Sequence, residues 1–225
     1  MLDILALSPH PDDVELCCGG LIAKMTGKGY HVGIVDLTRG ELGTEGTGEI
    51  RMQEATKAAE ILGVEIRENM DLGDCKLSSG FDETKRLADV IGQYRPSVLI
   101  APYGDEQHPD HAASRQLADK AVFFAKLKKI QTRHEVHQVG MVVYYMLHES
   151  FDPSFVVDVT ESYGKKLEAI KAYNSQMGLM LGVEGLLRSV ELRDQFYGSK
   201  VGVKLCEPFF CHTPLKIDDP VAFLR

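Results

Sequence analysis

Two short segments of the chain concentrate histidine and carboxylate side chains. The first reads Ser8-Pro9-His10-Pro11-Asp12-Asp13-Val14-Glu15, and the second reads His108-Pro109-Asp110-His111. Imidazole nitrogens and carboxylate oxygens are ligands that Zn²⁺ and Fe²⁺ accept in proteins. A further carboxylate beside such an ion can act as a general base. The two segments therefore predict one catalytic metal centre, provided that the fold brings them together.

The spacing of these residues suggests which of them bind the metal ion. His10 and Asp13 are three residues apart across a turn that Pro11 stiffens, so both side chains can face one point. His111 adds a third ligand from the second segment. Three protein ligands leave a position for water, whose pKa the metal lowers to about 7. Asp12 is then the spare carboxylate that takes the proton of the attacking water.

Two residues of the second segment remain for the rest of the chemistry. His108, when protonated, can stabilise an oxyanion or protonate a leaving amine. Asp110 can orient His108 and raise its pKa. The alternative interpretation of Asp110 is a structural one, in which it caps the helix that follows.

The surrounding sequence predicts the elements that position these segments. Apolar runs at residues 3–7, 32–37, 66–72 and 98–101 alternate with helical patterns at 14–25, 49–62, 82–94 and 110–128. This alternation predicts an α/β fold, a Rossmann-like, mostly parallel sheet flanked by helices. In the common strand order 3-2-1-4-5, the first and fourth strands are neighbours, and ligands bind at their carboxyl ends. Both chemical segments directly follow these two strands.

The rest of the chain continues the same pattern. Further strands are predicted at 139–147 and 155–159, helices at 162–174 and 184–196, and a last extended segment at 201–210. A glycine-rich loop at 38–48 lies between the second strand and the next helix. We expect one domain over residues 1–225.

Composition restricts the class of protein. The 225 residues carry a net charge of −8 and no long Lys/Arg run, which argues against a nucleic-acid partner. No apolar run reaches the roughly 20 residues that cross a bilayer, so no membrane association is expected. The N-terminus lacks the features of a signal peptide. The five cysteines form no Cys-x-x-Cys pair and are odd in number, which favours free thiols in a cytoplasmic protein.

The two segments resemble the motifs of the LmbE-like (PIG-L) family of N-acetylglucosamine deacetylases. These motifs are (A/S)-x-H-P-D-D-x-E near the N-terminus and H-P-D-H about a hundred residues later. The likeness extends to Glu49-Ile50-Arg51 and Tyr173-Asn174-Ser175-Gln176. Within the family, this sequence most resembles the bacillithiol-pathway deacetylases. Those enzymes convert N-acetylglucosaminyl malate to glucosaminyl malate and acetate.

The resemblance implies an LmbE-like fold and a role for each matching residue. It implies that His10, Asp13 and His111 bind Zn²⁺, with Fe²⁺ as the alternative. It implies that Asp12 is the general base. It also implies that His108 and Asp110 form a second catalytic pair. It also implies that Arg51 contacts the substrate, since a guanidinium suits the carboxylates of malate. The alternative for Arg51 is a solvated helix residue. The resemblance further implies a small amino-sugar substrate and a homo-oligomer, with hexamers known in the family.

Two departures from the family bear on substrate preference. Gln107 stands where some relatives have arginine, and residues 177–188 lack the tyrosine that some relatives carry. One alternative is therefore a deacetylase or amidase that acts on another N-acyl amino sugar or on a thiol conjugate. A second is a non-enzymatic α/β ligand-binding module, in which the acids are helix caps and the histidines incidental.

Overall fold

The structure is a computed structural model that describes residues 1–104, 106–176, 182–219 and 221. Seven strands are described: β1 (Ile4–Ser8), β2 (Val32–Asp36), β3 (Ile66–Asn69), β4 (Val98–Pro102), β5 (Met141–Tyr145), β6 (Phe155–Asp158) and β7 (Cys206–Phe210). The α-helices are α1 (Asp13–Gly27), α2 (Gly48–Leu62), α3 (Phe81–Tyr94), α4 (Pro109–Ala125), α5 (Tyr163–Lys171) and α6 (Gly182–Val201). Short 3₁₀ turns occupy Lys128–Ile130 and Asn174–Gln176.

All seven strands join one sheet in the order β3-β2-β1-β4-β5-β7-β6. The first five pair in parallel, which confirms the predicted α/β fold and the order 3-2-1-4-5. β7 runs antiparallel to both β5 and β6. The last strand is shorter than the predicted 201–210, because α6 continues to Val201 and residues 202–205 form a turn before β7. A single domain over 1–225 stays a prediction.

Alternate residues of β1 enter two separate hydrophobic cores. Ile4 and Ala6 pack against α1, α2 and α5, whereas Leu5 and Leu7 pack against α3 and α4. A parallel strand covered on both faces is apolar throughout, and all five residues of β1 are buried. The sheet therefore lies between two helical layers, and the carboxyl ends of β1 and β4 open at the same edge.

Helix α1 is broken near its middle. Cys18 has the non-helical angles φ −139° and ψ 19°, and the amides of Gly20 and Leu21 donate to the Glu207 carboxylate at 2.8 and 2.7 Å. Lys166, fully buried, lies 2.7 Å from Glu207 and 2.6 Å from Asp194. Glu207 thus caps the second half of α1 from inside the protein, and Lys166 balances its charge.

The part of the chain that the structure describes contains no helix long and apolar enough to cross a bilayer.

Candidate metal and catalytic site

The turn from β1 into α1 is closed by its own side chains. Ser8 Oγ donates to the His10 carbonyl at 2.6 Å and accepts from the Val14 amide at 3.3 Å. The His10 amide donates to Asp13 Oδ2 at 2.9 Å. These bonds satisfy buried polar groups and hold His10 and Asp13 on one side of the turn.

Asp12 is held in an unusual conformation at the apex of this turn. Its φ of 124° lies in a region that costs a non-glycine residue about 1–3 kcal/mol. Asp12 makes no capping bond to α1; instead Oδ2 accepts from Arg51 Nη2 at 3.1 Å. The carboxylate is thereby held by Arg51 and not by the amides of the helix.

The side chains of the three predicted ligands, His10, Asp13 and His111, lie close together, and their binding of a metal ion stays a prediction. His10 Nδ1 is 3.3 Å from Asp13 Oδ2 and 3.2 Å from His111 Nε2, and His111 Nε2 is 3.5 Å from Asp13 Oδ2. Ligands around tetrahedral Zn²⁺ at about 2.0–2.1 Å lie about 3.4 Å apart, so this triangle fits one face of a metal site.

The other nitrogen of His10 faces two carboxylates. His10 Nε2 lies 3.2 Å from Asp110 Oδ2 and 3.2 Å from Asp74 Oδ1. Two acceptors at Nε2 place the proton there and leave the Nδ1 lone pair free for a metal. Carboxylate partners of this kind fix the ring orientation of metal-binding histidines.

The predicted contact between the Asp110 carboxylate and His108 is wrong. Asp110 points across the crevice, where its oxygens accept from His10 and from the amides of Cys75 and Leu77 at 2.7 and 3.2 Å. His108 instead caps α4, with Nδ1 accepting from the Asp110 amide at 3.2 Å. The alternative interpretation, in which Asp110 caps the helix, does not hold either, because the cap of α4 is His108.

The pKa of His108 is lowered overall, although the charge of Asp110 raises it, as predicted. Burial lowers the pKa of His108, and the nearby rings of His10 and His111 lower it further. Its ring centroid lies 4.8 Å from that of His10 and 4.7 Å from that of His111. Because Nδ1 is an acceptor, the neutral ring carries its proton on Nε2. His108 is therefore placed to donate a hydrogen bond without first becoming an imidazolium.

The carboxylates around His10 favour the protonated, positively charged form of its ring in the absence of a metal ion. Although burial opposes charge on the ring, hydrogen bonds with Asp110, Asp13 and Asp74 raise the pKa of His10 to about 12. Likewise, burial opposes ionisation of Asp13, but His111 and His10 hold its pKa well below the usual range. Three carboxylates crowded around one imidazole form a site that a divalent ion would neutralise.

Asp12 has a different environment from the other acids of the site. Burial raises the pKa of Asp12 to about 7, against the opposing effect of the Arg51 guanidinium. A carboxylate with a raised pKa is a better proton acceptor than an exposed one, and a pKa near the working pH suits a general base.

Arg51 is buried rather than solvated, with 5% of its surface exposed. Its guanidinium donates to the Pro11 carbonyl at 2.7 Å, to Gly40 O at 3.2 Å and to Asp12. The arginine thus links the glycine-rich loop to the turn between β1 and α1. Its contact with substrate stays a prediction.

A buried ion network contacts Glu15, the last residue of the first motif. The sequence did not lead us to predict it. Arg67 on β3 donates to both oxygens of Asp36 at 2.9 and 2.8 Å and makes a short contact with Glu15. Tyr173 Oη donates to Glu15 at 2.9 Å. The available signal was a charged residue, Arg67, near the start of the predicted strand 66–72. Asp74 was missed as well, although it follows β3 at the same edge of the sheet.

His148 lies beside the metal-site residues. Its ring stacks on His111 at 5.4 Å between centroids, with 8° between the planes. The buried Glu106 carboxylate accepts from the amides of His148 and Glu149 at 2.8 and 3.0 Å. These bonds link the loop after β4 to the loop after β5.

Of the tyrosine-free stretch 177–188, residues 177–181 lie outside the described part of the chain.

Among the described residues, other donor sets overlap this site. His10, His108 and His111 form one set, and His10, Asp74 and Asp110 another, each with atoms within 4.8 Å. Both share His10 with the triangle above. The triangle of His10, Asp13 and His111 is more compact, and it leaves the carboxylates at Nε2 as supporting groups.

Comparison with known proteins shows which family has a similar sequence. Residues 5–122 match the family model PIG-L: GlcNAc-PI de-N-acetylase. The chain is 31% identical over 222 residues to diacetylchitobiose deacetylase of Thermococcus kodakarensis, covering 91% of this chain and 80% of that protein. It is 30% identical to 4-oxalmesaconate hydratase of Pseudomonas putida, covering 76% and 73%.

Two further similarities bear on substrate and fold. The chain is 28% identical to the probable N-acetyl-alpha-D-glucosaminyl L-malate deacetylase 2 of Bacillus cereus, covering 79% of this chain and 85% of that protein. The crystal structure of a conserved protein from Thermus thermophilus has a TM-score of 0.92 and 36% identity, covering 98% of each chain.

Proposed function

Because this chain belongs to the PIG-L family of de-N-acetylases, we propose that it is a zinc-dependent enzyme that hydrolyses N-acetylglucosaminyl malate to glucosaminyl malate and acetate. The observation that carries the metal-dependent hydrolysis is the triangle of His10 Nδ1, Asp13 Oδ2 and His111 Nε2, with edges of 3.2–3.5 Å. The same ligand set suits Fe²⁺.

A bound divalent ion supplies Lewis acidity, which lowers the pKa of water and polarises the amide carbonyl. Asp12 accepts the proton of the attacking water, while Arg51 holds its Oδ2 at 3.1 Å. The protonated Asp12 then returns that proton to the leaving nitrogen. His108 donates from Nε2 to the carbonyl oxygen as negative charge develops on it.

The identity of the conjugate rests on similarity rather than on a located malate site. The name of the Bacillus cereus relative specifies N-acetylglucosaminyl malate. Arg51, predicted to bind the malate carboxylates, already donates to Pro11, Gly40 and Asp12. A second candidate is therefore diacetylchitobiose, the substrate named for the relative that matches 91% of this chain. A homo-oligomer and a cytoplasmic location remain predictions.

A substrate panel tests these assignments. Zinc-loaded protein is incubated with N-acetylglucosaminyl malate, diacetylchitobiose and 4-oxalmesaconate, with Asp12→Asn as the control. Released primary amine and acetate are measured for the two sugars, and consumption of the substrate is measured for 4-oxalmesaconate. We expect amine release from the malate conjugate with the highest kcat/KM. A higher kcat/KM on diacetylchitobiose would overturn the malate assignment. Turnover of 4-oxalmesaconate alone, without release of amine from either sugar, would overturn the deacetylase assignment.

A further inference from the structure

A cavity of about 610 Å³ that shares no lining residue with the metal site is rich in lysine. It lies between the end of α1, the loop that joins β6 to α5, and the turn before β7. A volume of this size is in the range of small-molecule sites. Four lysines line the cavity: Lys24, Lys28, Lys165 and Lys204. The proposed hydrolysis gives this space no role.

Two acidic residues, Asp158 and Glu161, offset only part of this positive charge. The Asp158 carboxylate accepts from the amide and the hydroxyl of Thr160 at 2.9 and 2.7 Å, so it is held within its own turn. Lys24 Nζ donates to the Asp158 carbonyl at 2.5 Å. Four ammonium groups and two carboxylates leave the lining with a net charge of +2, in a chain whose net charge is −8.

The other three lysines of the cavity are exposed and unpaired. Within the described part of the chain, the side chains of Lys28, Lys165 and Lys204 have no hydrogen-bond or ion-pair partner. Like charges gathered around one cavity repel each other, and an anion bound between them would relieve this repulsion. The lysines are therefore free to bind a ligand from solution.

The helix dipole explains the position of only two of the four lysines. Lys24 and Lys28 lie at the end of α1, where a helix favours cations. Lys165 lies in the first turn of α5, where a helix disfavours a cation, and that turn contains no acid. Lys204 belongs to no helix. Helix electrostatics therefore does not account for the presence of Lys165 and Lys204 beside the other two.

The donor groups of the cavity indicate the kind of anion. A planar carboxylate is matched best by the fork of arginine, and no described lining residue is arginine. The lysine ammonium is a compact charge with three donors, and it binds phosphate oxygens as a point charge. Because the lysines come from separate elements, several linked phosphate groups can contact more of them than a single phosphate can.

We infer that this cavity binds a soluble polyphosphate, an anion with two or three linked phosphate groups. Calorimetric titration of the zinc-loaded protein with phosphate, pyrophosphate and tripolyphosphate tests the inference and requires no turnover. Tripolyphosphate should bind at least about tenfold more tightly than phosphate, because it makes more charge-assisted hydrogen bonds. Equal binding of all three anions, or binding of none, would overturn the inference. The outcome does not depend on the proposed hydrolysis.

Substitutions in the cavity test where the anion binds. Lys165→Gln and Lys204→Gln should each weaken tripolyphosphate binding at least about tenfold, since each removes one charged donor. Both side chains are exposed, so the variants should fold. The matched control is Lys171→Gln, which removes an exposed lysine from the last turn of α5, outside the cavity. An equal effect of all three substitutions would show attraction to overall charge and would overturn the site.

The metal site is the competing location, because polyphosphates also bind zinc. Acetylation by an N-hydroxysuccinimide ester, followed by mass spectrometry, reports which lysines the anion covers. Tripolyphosphate should protect Lys165 and Lys204 from acetylation but not Lys171. Binding that both cavity substitutions leave unchanged, and that is lost when a chelator removes the zinc, would place the anion at the metal site and overturn the inference.

Discussion

His10 Nε2 lies 3.2 Å from Asp110 Oδ2, so a carboxylate of the second motif orients the histidine of the first motif. Asp110 is 1% exposed, and two backbone amides fix its position. Asp110 thus acts on the metal site through His10 rather than through His108.

Asp110→Asn should weaken zinc binding 10- to 100-fold, because the amide is a poorer acceptor for the proton on His10 Nε2. Competition with a chromogenic chelator measures the zinc Kd. The control is Asp82→Asn, which removes an exposed acid from the first turn of α3. An unchanged zinc Kd in Asp110→Asn would show that His10 does not need the Asp110 carboxylate, and that Asp74, also 3.2 Å from Nε2, is sufficient.

Asp12→Asn should lower kcat by about 10²–10⁴ while leaving zinc content unchanged, because it removes a base but no predicted ligand. The asparagine oxygen can still accept from Arg51, so the turn should keep its conformation. Elemental analysis and single-turnover kinetics on the same preparation check both parts. Loss of zinc along with activity would make Asp12 a ligand instead of a base.

Arg51→Lys should lower kcat at least about tenfold on every substrate, because lysine keeps the charge but cannot bind Asp12, Pro11 and Gly40 together. The comparison is between kcat and KM on N-acetylglucosaminyl malate and on diacetylchitobiose. A rise in KM confined to the malate conjugate would instead support the predicted contact between Arg51 and substrate.

Arg67→Met should reduce the free energy of unfolding by about 3–5 kcal/mol, since it leaves the buried Asp36 and Glu15 carboxylates without their cation. Urea denaturation measures the change. The control is Arg188→Met, which breaks an exposed pair with Glu191 and should cost less than about 1 kcal/mol. Similar losses in both variants would argue against the supporting role of the buried network.

Replacement by alanine should have different effects on stability at two glycines of α1. A Cβ at Gly20 would lie 2.8 Å from Val159 Cβ and 2.9 Å from Glu207 Oε1, so Gly20→Ala should cost about 1–3 kcal/mol. A Cβ at Gly27 meets nothing within 4 Å, and Gly27→Ala should be neutral or stabilising by up to about 1 kcal/mol. Thermal denaturation of both variants checks the difference. Equal stability would show that the break in α1 tolerates a side chain.

Local patterns in the sequence were sufficient for the fold and for part of the site. The alternation of apolar runs and helical periods predicts β1 and β4 as neighbours, and this places two motifs at one edge. The relation of His10 to Asp13 is equally local, because three residues across one turn leave few conformations. Such features depend on backbone preferences and short-range spacing, which a single sequence expresses directly.

The partners of each side chain were decided by tertiary packing. Asp110 follows His108 by two residues, and sequence proximity suggested that they pair. At the start of a helix, however, a residue at the cap faces the helix amides, while one in the first turn can point across the crevice. Asp74 and Arg67 reach the site from β3 and the loop after it. Contacts over such distances depend on how loops and layers pack, and no local pattern specifies them.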